Sequence, residues 1–161
     1  MLRKMMAGLM LGASLVAGSF SVSEFTPVAQ AAQADLSLGG VSIGTSMATV
    51  RNIYGEPAYK EQLHQGGPFG NYVTWVYGGT FKINFDGDDY KVFKVETTAN
   101  NGIKLPENIG VGDNIELAQR NYPSLKKVSS NQYRWSKDWI YIMFDVDNDN
   151  KIKKISLYCS P

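Results

Sequence analysis

Two segments of this chain follow one plan. Val41-Ser42-Ile43-Gly44-Thr45-Ser46-Met47 and Ile109-Gly110-Val111-Gly112-Asp113-Asn114-Ile115 are offset by 112 − 44 = 68 positions. Each has an apolar residue, a spacer, an apolar residue and glycine, then a capping residue and a helical pattern. Such a repeat constrains the fold more than composition does, because a duplicated unit buries its apolar face against its copy. In the first copy Thr45 or Ser46 can cap a helix whose Met47, Val50, Ile53 and Tyr54 share a face. Gly55 then suits the left-handed position after the helix, and Pro57 prevents its continuation. In the second copy Asp113 and Glu116 have capping-box spacing, Ile115, Ala118 and Tyr122 follow at helical spacing, and Pro123 is the stop.

Strands follow each helix. Tyr72 to Tyr77 is rich in β-branched and aromatic residues, Phe81 to Phe85 alternates, and Tyr90 to Thr97 follows the turn Asp86-Gly87-Asp88-Asp89. In the second copy Tyr133-Arg134-Trp135 matches Val73-Thr74-Trp75, Ile140 to Phe144 matches Phe81 to Phe85, and Lys151 to Tyr158 is the last strand. The expected class is α+β: two tandem repeats, each a short helix followed by about three antiparallel strands, with a further strand an option ahead of them. Residues 35–99 form unit 1 and 100–161 unit 2, divided at the polar cluster Ala99-Asn100-Asn101-Gly102. A unit of this size is marginal alone, so the two are expected to share a sheet.

The residues ahead of the repeat read as an address. Arg3 and Lys4 precede an apolar run from Met5 to about Phe20, and Ala29-Gln30-Ala31-Ala32-Gln33-Ala34 offers small residues for cleavage. This is a secretory signal peptide over residues 1–34, with cleavage after Ala34 preferred to cleavage after Ala31. The run is short and glycine-rich for a membrane anchor. No cysteine lies near the cleavage site for lipid attachment. Cleavage leaves 161 − 34 = 127 residues with 14 basic and 14 acidic side chains, so the exported form is formally neutral. A neutral chain gives no electrostatic reason to expect nucleic acid. The expected location is exported, periplasmic or extracellular, with neither membrane span nor lipid anchor.

Ile43-Gly44-Thr45-Ser46-Met47 through Val50 to Tyr54-Gly55-Glu56-Pro57 resembles the opening of the SmpA/OmlA-type outer-membrane assembly lipoproteins. It is also similar to the tandem units of the β-lactamase inhibitor protein family. The resemblance covers most of residues 40–158 as architecture and is concentrated at Gly44, Val50, Gly55 and Pro57. It implies a helix-plus-antiparallel-sheet fold and protein binding in an exported compartment. The chain departs from those families in lacking both a lipid-attachment cysteine and paired cysteines.

Catalytic material is scarce. His64, the one histidine, sits beside Gly66-Gly67-Pro68-Phe69-Gly70, and Cys159, the one cysteine, is two residues from the end. One of each excludes a Cys/His zinc site and an internal disulfide, though Cys159 could pair between chains. The glycine run lacks the Lys-Ser/Thr of a phosphate loop and reads as a hairpin connection. Asp145-Val146-Asp147-Asn148-Asp149-Asn150 opens like a calcium loop, but Ser156 stands where a bidentate Glu is needed, so a polar turn is the better reading. No metal, cofactor or catalytic residue is assigned, and the chain is not expected to be an enzyme.

The two copies differ on their strand faces. Opposite Phe81, Ile83 and Phe85 lie the polar Thr80, Lys82 and Asn84, whereas opposite Ile140, Ile142 and Phe144 lie Trp139, Tyr141 and Met143. Tyr133, Arg134 and Trp135 occupy the neighbouring strand. Either the aromatics pack as core, or Tyr133, Arg134, Trp135, Trp139, Tyr141 and Met143 form a partner-binding surface of the composition that protein interfaces favour. The expectation is an exported, non-catalytic module that binds an exported or envelope protein through a sheet face. A glycan or small ligand held on the aromatic surface is the alternative.

Overall fold

The structure is a computed structural model, and it describes residues 36–67 and 70–160, the side chains of 62–67 excepted. The expected signal peptide lies outside the described residues.

The chain runs through β1 (Ser37–Leu38), β2 (Val41–Ser42), α1 (Met47–Tyr54), β3 (Tyr59–Gly67), β4 (Gly70–Tyr77), β5 (Phe81–Asp86) and β6 (Val92–Thr97). It continues through α2 (Ile115–Asn121), β7 (Lys126–Ser129), β8 (Gln132–Lys137), β9 (Ile140–Val146) and β10 (Ile152–Cys159). β1 and β2 form a small hairpin, and the other eight strands form one antiparallel sheet in the order β3-β4-β5-β6-β10-β9-β8-β7. The class is therefore antiparallel sheet with two helices. Each helix is followed by four strands rather than about three. The missed members are β3 and β7, the two edges of the sheet. Their sequences, YKEQLHQGG and KKVS, lack alternation because an edge strand buries little, and Lys126 to Ser129 are all exposed.

The two four-stranded halves meet at β6 and β10. Thr97 pairs with Ile155, Glu96 with Ser156 and Val95 with Leu157. Glu96 and Ser156 stand 156 − 96 = 60 positions apart and face each other, so the register reads alike outward from this pair. Both central strands bulge near their starts, at Phe93 and at Lys153.

One face of the sheet makes the core. Trp75, Phe81, Ile83, Phe85, Val95, Ile142, Phe144, Ile155 and Leu157 are buried there, in one cluster with Val50 of α1, Ile115 and Ala118 of α2, and Leu38 and Val41 of the small hairpin. Each fully buried side chain of this kind stabilises by roughly 1.5–3 kcal/mol.

The helices are anchored alike. Gly44 N–H donates to Val92 C=O at 2.7 Å and Val92 N–H to Thr45 C=O at 2.9 Å. Gly112 N–H donates to Ile152 C=O at 2.7 Å and Ile152 N–H to Asp113 C=O at 2.9 Å. Gly44 (φ +84°) and Gly112 (φ +96°) make the turn in a region that side chains disfavour. Ser46 caps α1, accepting from Thr49 N–H at 3.2 Å. The cap of α2 is Asn114, accepting from Glu116 N–H at 2.9 Å, while Asp113 accepts from Gly110 N–H at 2.8 Å. The expected Asp113 cap is thus displaced by one residue, because Asp113 serves the preceding turn. Ile53, expected on the buried side of α1, is 48% exposed.

Candidate functional site

Alternation sends every second side chain of the sheet away from the helices, onto a face of a different character. Thr74 and Tyr72 of β4, Lys82 and Asn84 of β5, Lys94 and Glu96 of β6, Ser156 and Tyr158 of β10, Tyr141 and Met143 of β9, and Arg134 of β8 stand there. None belongs to the core cluster that holds the helices.

The strand pairing separates the six residues expected to form a surface. Tyr133 lies opposite Phe144 and Trp135 opposite Ile142, so both point to the core side; Tyr133 is buried and Trp135 half-buried. Arg134 lies opposite Met143 and Ser136 opposite Tyr141, which places Arg134, Met143 and Tyr141 together on the open face. Arg134 is exposed, and Tyr141 and Met143 are half-buried. Trp139 belongs to neither set. It sits in the turn between β8 and β9, 55% exposed, because β9 begins only at Ile140.

The open face has an aromatic and cationic patch in its second half. Tyr141 stacks on Tyr158 with centroids 5.3 Å apart and planes inclined by 18°. The Arg134 guanidinium lies 5.8 Å from the centre of the Tyr141 ring. Burial raises the Tyr158 pKa; Arg134 nearby opposes the shift and Tyr141 adds to it. In the first half Phe93, extruded by the β6 bulge, meets Tyr72 edge-on at 5.6 Å.

Between these patches, at the centre of the sheet, Glu96 bridges two lysines. Its Oε2 lies 2.7 Å from Lys94 Nζ and 3.1 Å from Lys154 Nζ, contacts that are ionic rather than well-aligned hydrogen bonds. Lys94 and Lys154 are themselves 60 positions apart, flanking the Glu96–Ser156 pair. Burial raises the Glu96 pKa, but the two ammonium groups outweigh burial and hold it below the ordinary value. Beside this triad is a recess of about 290 Å³ floored by Met143, Ser156 and Tyr158. Of these residues only Arg134, Tyr141 and Met143 were expected; Lys94, Glu96, Lys154 and Tyr158 read in the sequence as ordinary strand polarity. Their signal was the spacing of 60 shared by Lys94 and Lys154.

The other candidates resolve simply. Asp145 accepts from Gln132 Nε2 at 2.9 Å, and Asp147 Oδ1 accepts from Asp149 N–H at 2.9 Å and Lys151 N–H at 2.8 Å. Asp145 thus links β9 to β8, whereas Asp147 shapes a turn, as Asp86 does by accepting from Asp88 N–H at 2.7 Å. Among the described residues no group of three His, Cys, Asp or Glu side chains could hold a metal ion. His64 is in β3 opposite Tyr72, its side chain outside the description. Gly67 pairs with Gly70, so the glycine run is a hairpin connection, with residues 68–69 outside the description. Cys159 ends β10 half-buried, and burial raises its pKa, which disfavours the reactive thiolate. Among the described residues no helix is long and apolar enough to cross a membrane.

No protein-family model and no curated protein sequence matches the chain. Among solved structures it is similar to an extracellular protein containing an SCP domain from Bacillus anthracis, with TM-score 0.55 and 15% identity over 73% of this chain and 44% of that one. It is similar to a cysteine-rich secretory protein from Staphylococcus aureus, with TM-score 0.55 and 13% identity over 73% of this chain and 44% of that one. A DUF4309 family protein from Bacillus subtilis aligns with TM-score 0.41 and 13% identity over 74% of this chain and 82% of that one. The chain spans less than half the length of the first two. Those first two structures overturn the resemblance to the β-lactamase inhibitor protein and SmpA/OmlA families. The residues that carried it are cap and turn chemistry: Val50 is the buried contact of α1, and Gly55 (φ +75°) closes that helix. Any short helix that must stop and turn into a strand can recruit them. The likeness to the first two structures is one of fold.

Proposed function

We propose that this chain is an exported, non-catalytic module that binds a protein partner through the open face of its sheet. One observation carries the reading: the helices and the small hairpin all pack on one face, leaving the other to Arg134, Tyr141, Tyr158 and Met143 around a central ion-pair triad. Tyr, Arg and Met are enriched where proteins meet, and a stacked pair under a guanidinium loses little freedom on binding. The reading also takes the chain as two copies of one helix-plus-sheet unit, residues 35–99 and 100–161. The matching anchors at Gly44 and Gly112 and the mirrored strand order support that duplication. Export rests on the sequence signal over residues 1–34. The printed descriptions of the two fold neighbours, extracellular and secretory, agree with it.

The test is affinity capture of exported proteins on the immobilised chain, with Arg134→Glu and Met143→Lys on the open face. Loss of one specific partner with both variants, at unchanged melting temperature, supports the reading. Retention of every captured protein by both variants sinks it.

A further inference from the structure

A second cavity lies on the opposite side of the sheet from the proposed protein-binding face. It has a volume of about 560 Å³ and sits between the end of α2, the β8–β9 turn and the small N-terminal hairpin. That volume falls within the range of small-ligand sites, roughly 300–1,000 Å³. We propose that this cleft is a binding site for a neutral saccharide.

The lining supplies both halves of sugar recognition. Trp135 is half-buried in it, with Ile43, Ile140 and Pro123 extending the apolar wall. An indole edge or face left partly open accepts the C–H face of a pyranose ring, which is apolar although its hydroxyls are not. Tyr122 braces the indole, with centroids 5.3 Å apart and planes inclined by 54°. The Tyr122 hydroxyl donates to Glu107 Oε2 at 2.5 Å, so the phenol is held in place and is not spent on a ligand. Burial, the bond to Glu107 and the charge of Glu107 all raise the Tyr122 pKa, so the phenol stays a donor at any ordinary pH.

Around this wall stand Asn121, Lys137 and Asp138. Asn121 Nδ2 donates to Leu117 C=O at 2.9 Å, which leaves its amide oxygen to accept. Lys137 donates and Asp138 accepts, so hydroxyl groups in both senses have partners. Charge discriminates between ligand classes. Glu107 keeps its charge, because the phenol that donates to it is neutral, so the lining carries one cation, Lys137, against two anions, Asp138 and Glu107. An organic cation would meet Lys137 and an organic anion would meet Asp138. A hydroxylated ligand without charge meets neither penalty. Asp138 is also the residue that turns the chain, at φ +54°, so the geometry that closes the hairpin delivers its carboxylate to the rim.

The test titrates the purified chain with two neutral tetrasaccharides, cellotetraose and tetra-N-acetylchitotetraose, read by tryptophan fluorescence and by amide and indole NMR shifts. Saturable binding of either is expected, with shifts at Trp135, Asn121 and Asp138. Trp135→Ala should weaken it on the order of tenfold or more. Because Trp135 also packs on Tyr122, Asp138→Asn is the second variant. Asparagine tolerates the same positive φ, and loss of the charged acceptor should weaken binding about three- to tenfold at unchanged melting temperature. The proposal is overturned if neither sugar gives a saturable response up to about 10 mM. It is equally overturned if both variants bind like the parent chain, if the shifts map to Arg134, Tyr141 and Met143, or if choline or acetate binds the cleft while the sugars do not. Binding of one sugar alone supports it and assigns the preference at the sugar's C2 substituent.

Discussion

The first four strands of the sheet and the last four share their backbone devices and differ in what they show to solvent. Each half has the paired hydrogen bonds after a left-handed glycine, a bulge in its central strand, and a fully buried phenylalanine in its core row, Phe85 or Phe144. On the open face, Lys82 and Asn84 of the first half, opposite Glu96 and Lys94, correspond to Met143 and Asp145 of the second, opposite Ser156 and Lys154. At the centre, Glu96 faces Ser156 instead of a second carboxylate. Two glutamates at that pair would repel each other, whereas one between two lysines is neutralised. What the halves share is therefore what the sheet needs to close. What they do not share is confined to the surface free to acquire a role.

The comparison breaks most sharply in the core. Phe85→Ala and Phe144→Ala should each cost about 3–5 kcal/mol in denaturant unfolding, with a single transition in both variants. A second transition, or a cost under about 1 kcal/mol in one half, would separate the halves energetically.

Glu96→Gln tests the central asymmetry and should cost about 1–2 kcal/mol at pH 7, since both lysines keep partial contact with water. The sign with pH follows from the lowered Glu96 pKa. The native carboxylate binds its proton less readily than the unfolded one. Its contribution is therefore present above the ordinary carboxyl value of 4.5 and fades as pH falls below it. Unfolding curves of the parent and Glu96→Gln should converge between pH 5 and 3, roughly, and a gap that persists at low pH would contradict the ion-pair account.

The glycine anchors come next. Gly44→Ala and Gly112→Ala should each lower stability by about 1–2 kcal/mol, because both positions hold positive φ, while the added methyl finds open space at Gly44 and only an ordinary contact with Asn100 at Gly112. Unequal costs would show that one helix anchor matters more. The caps give the smallest effect. Ser46→Ala and Asn114→Ala should each cost about 1 kcal/mol, and a negligible cost at Asn114 would return the cap of α2 to Asp113.

The sequence alone determined the class, both helices and six of the eight sheet strands. Those elements bury one side, and burial writes itself into the residues as a period of two or of 3.6. It also showed that a polar turn rather than a calcium loop joins the last two strands. It could not show β3 and β7, because edge strands need no buried face. It misplaced Trp139, because the strand begins one residue later than alternation alone implies. It matched the chain to the wrong families, because caps and turns recur wherever a helix must stop. Only the tertiary structure decided which residues meet. Trp135 and Arg134 are neighbours in sequence, yet the pleat sends one to a cleft beside α2 and the other to the open face. Lys94 and Lys154 converge on Glu96 only because β6 and β10 pair centrally, a register that no local pattern encodes.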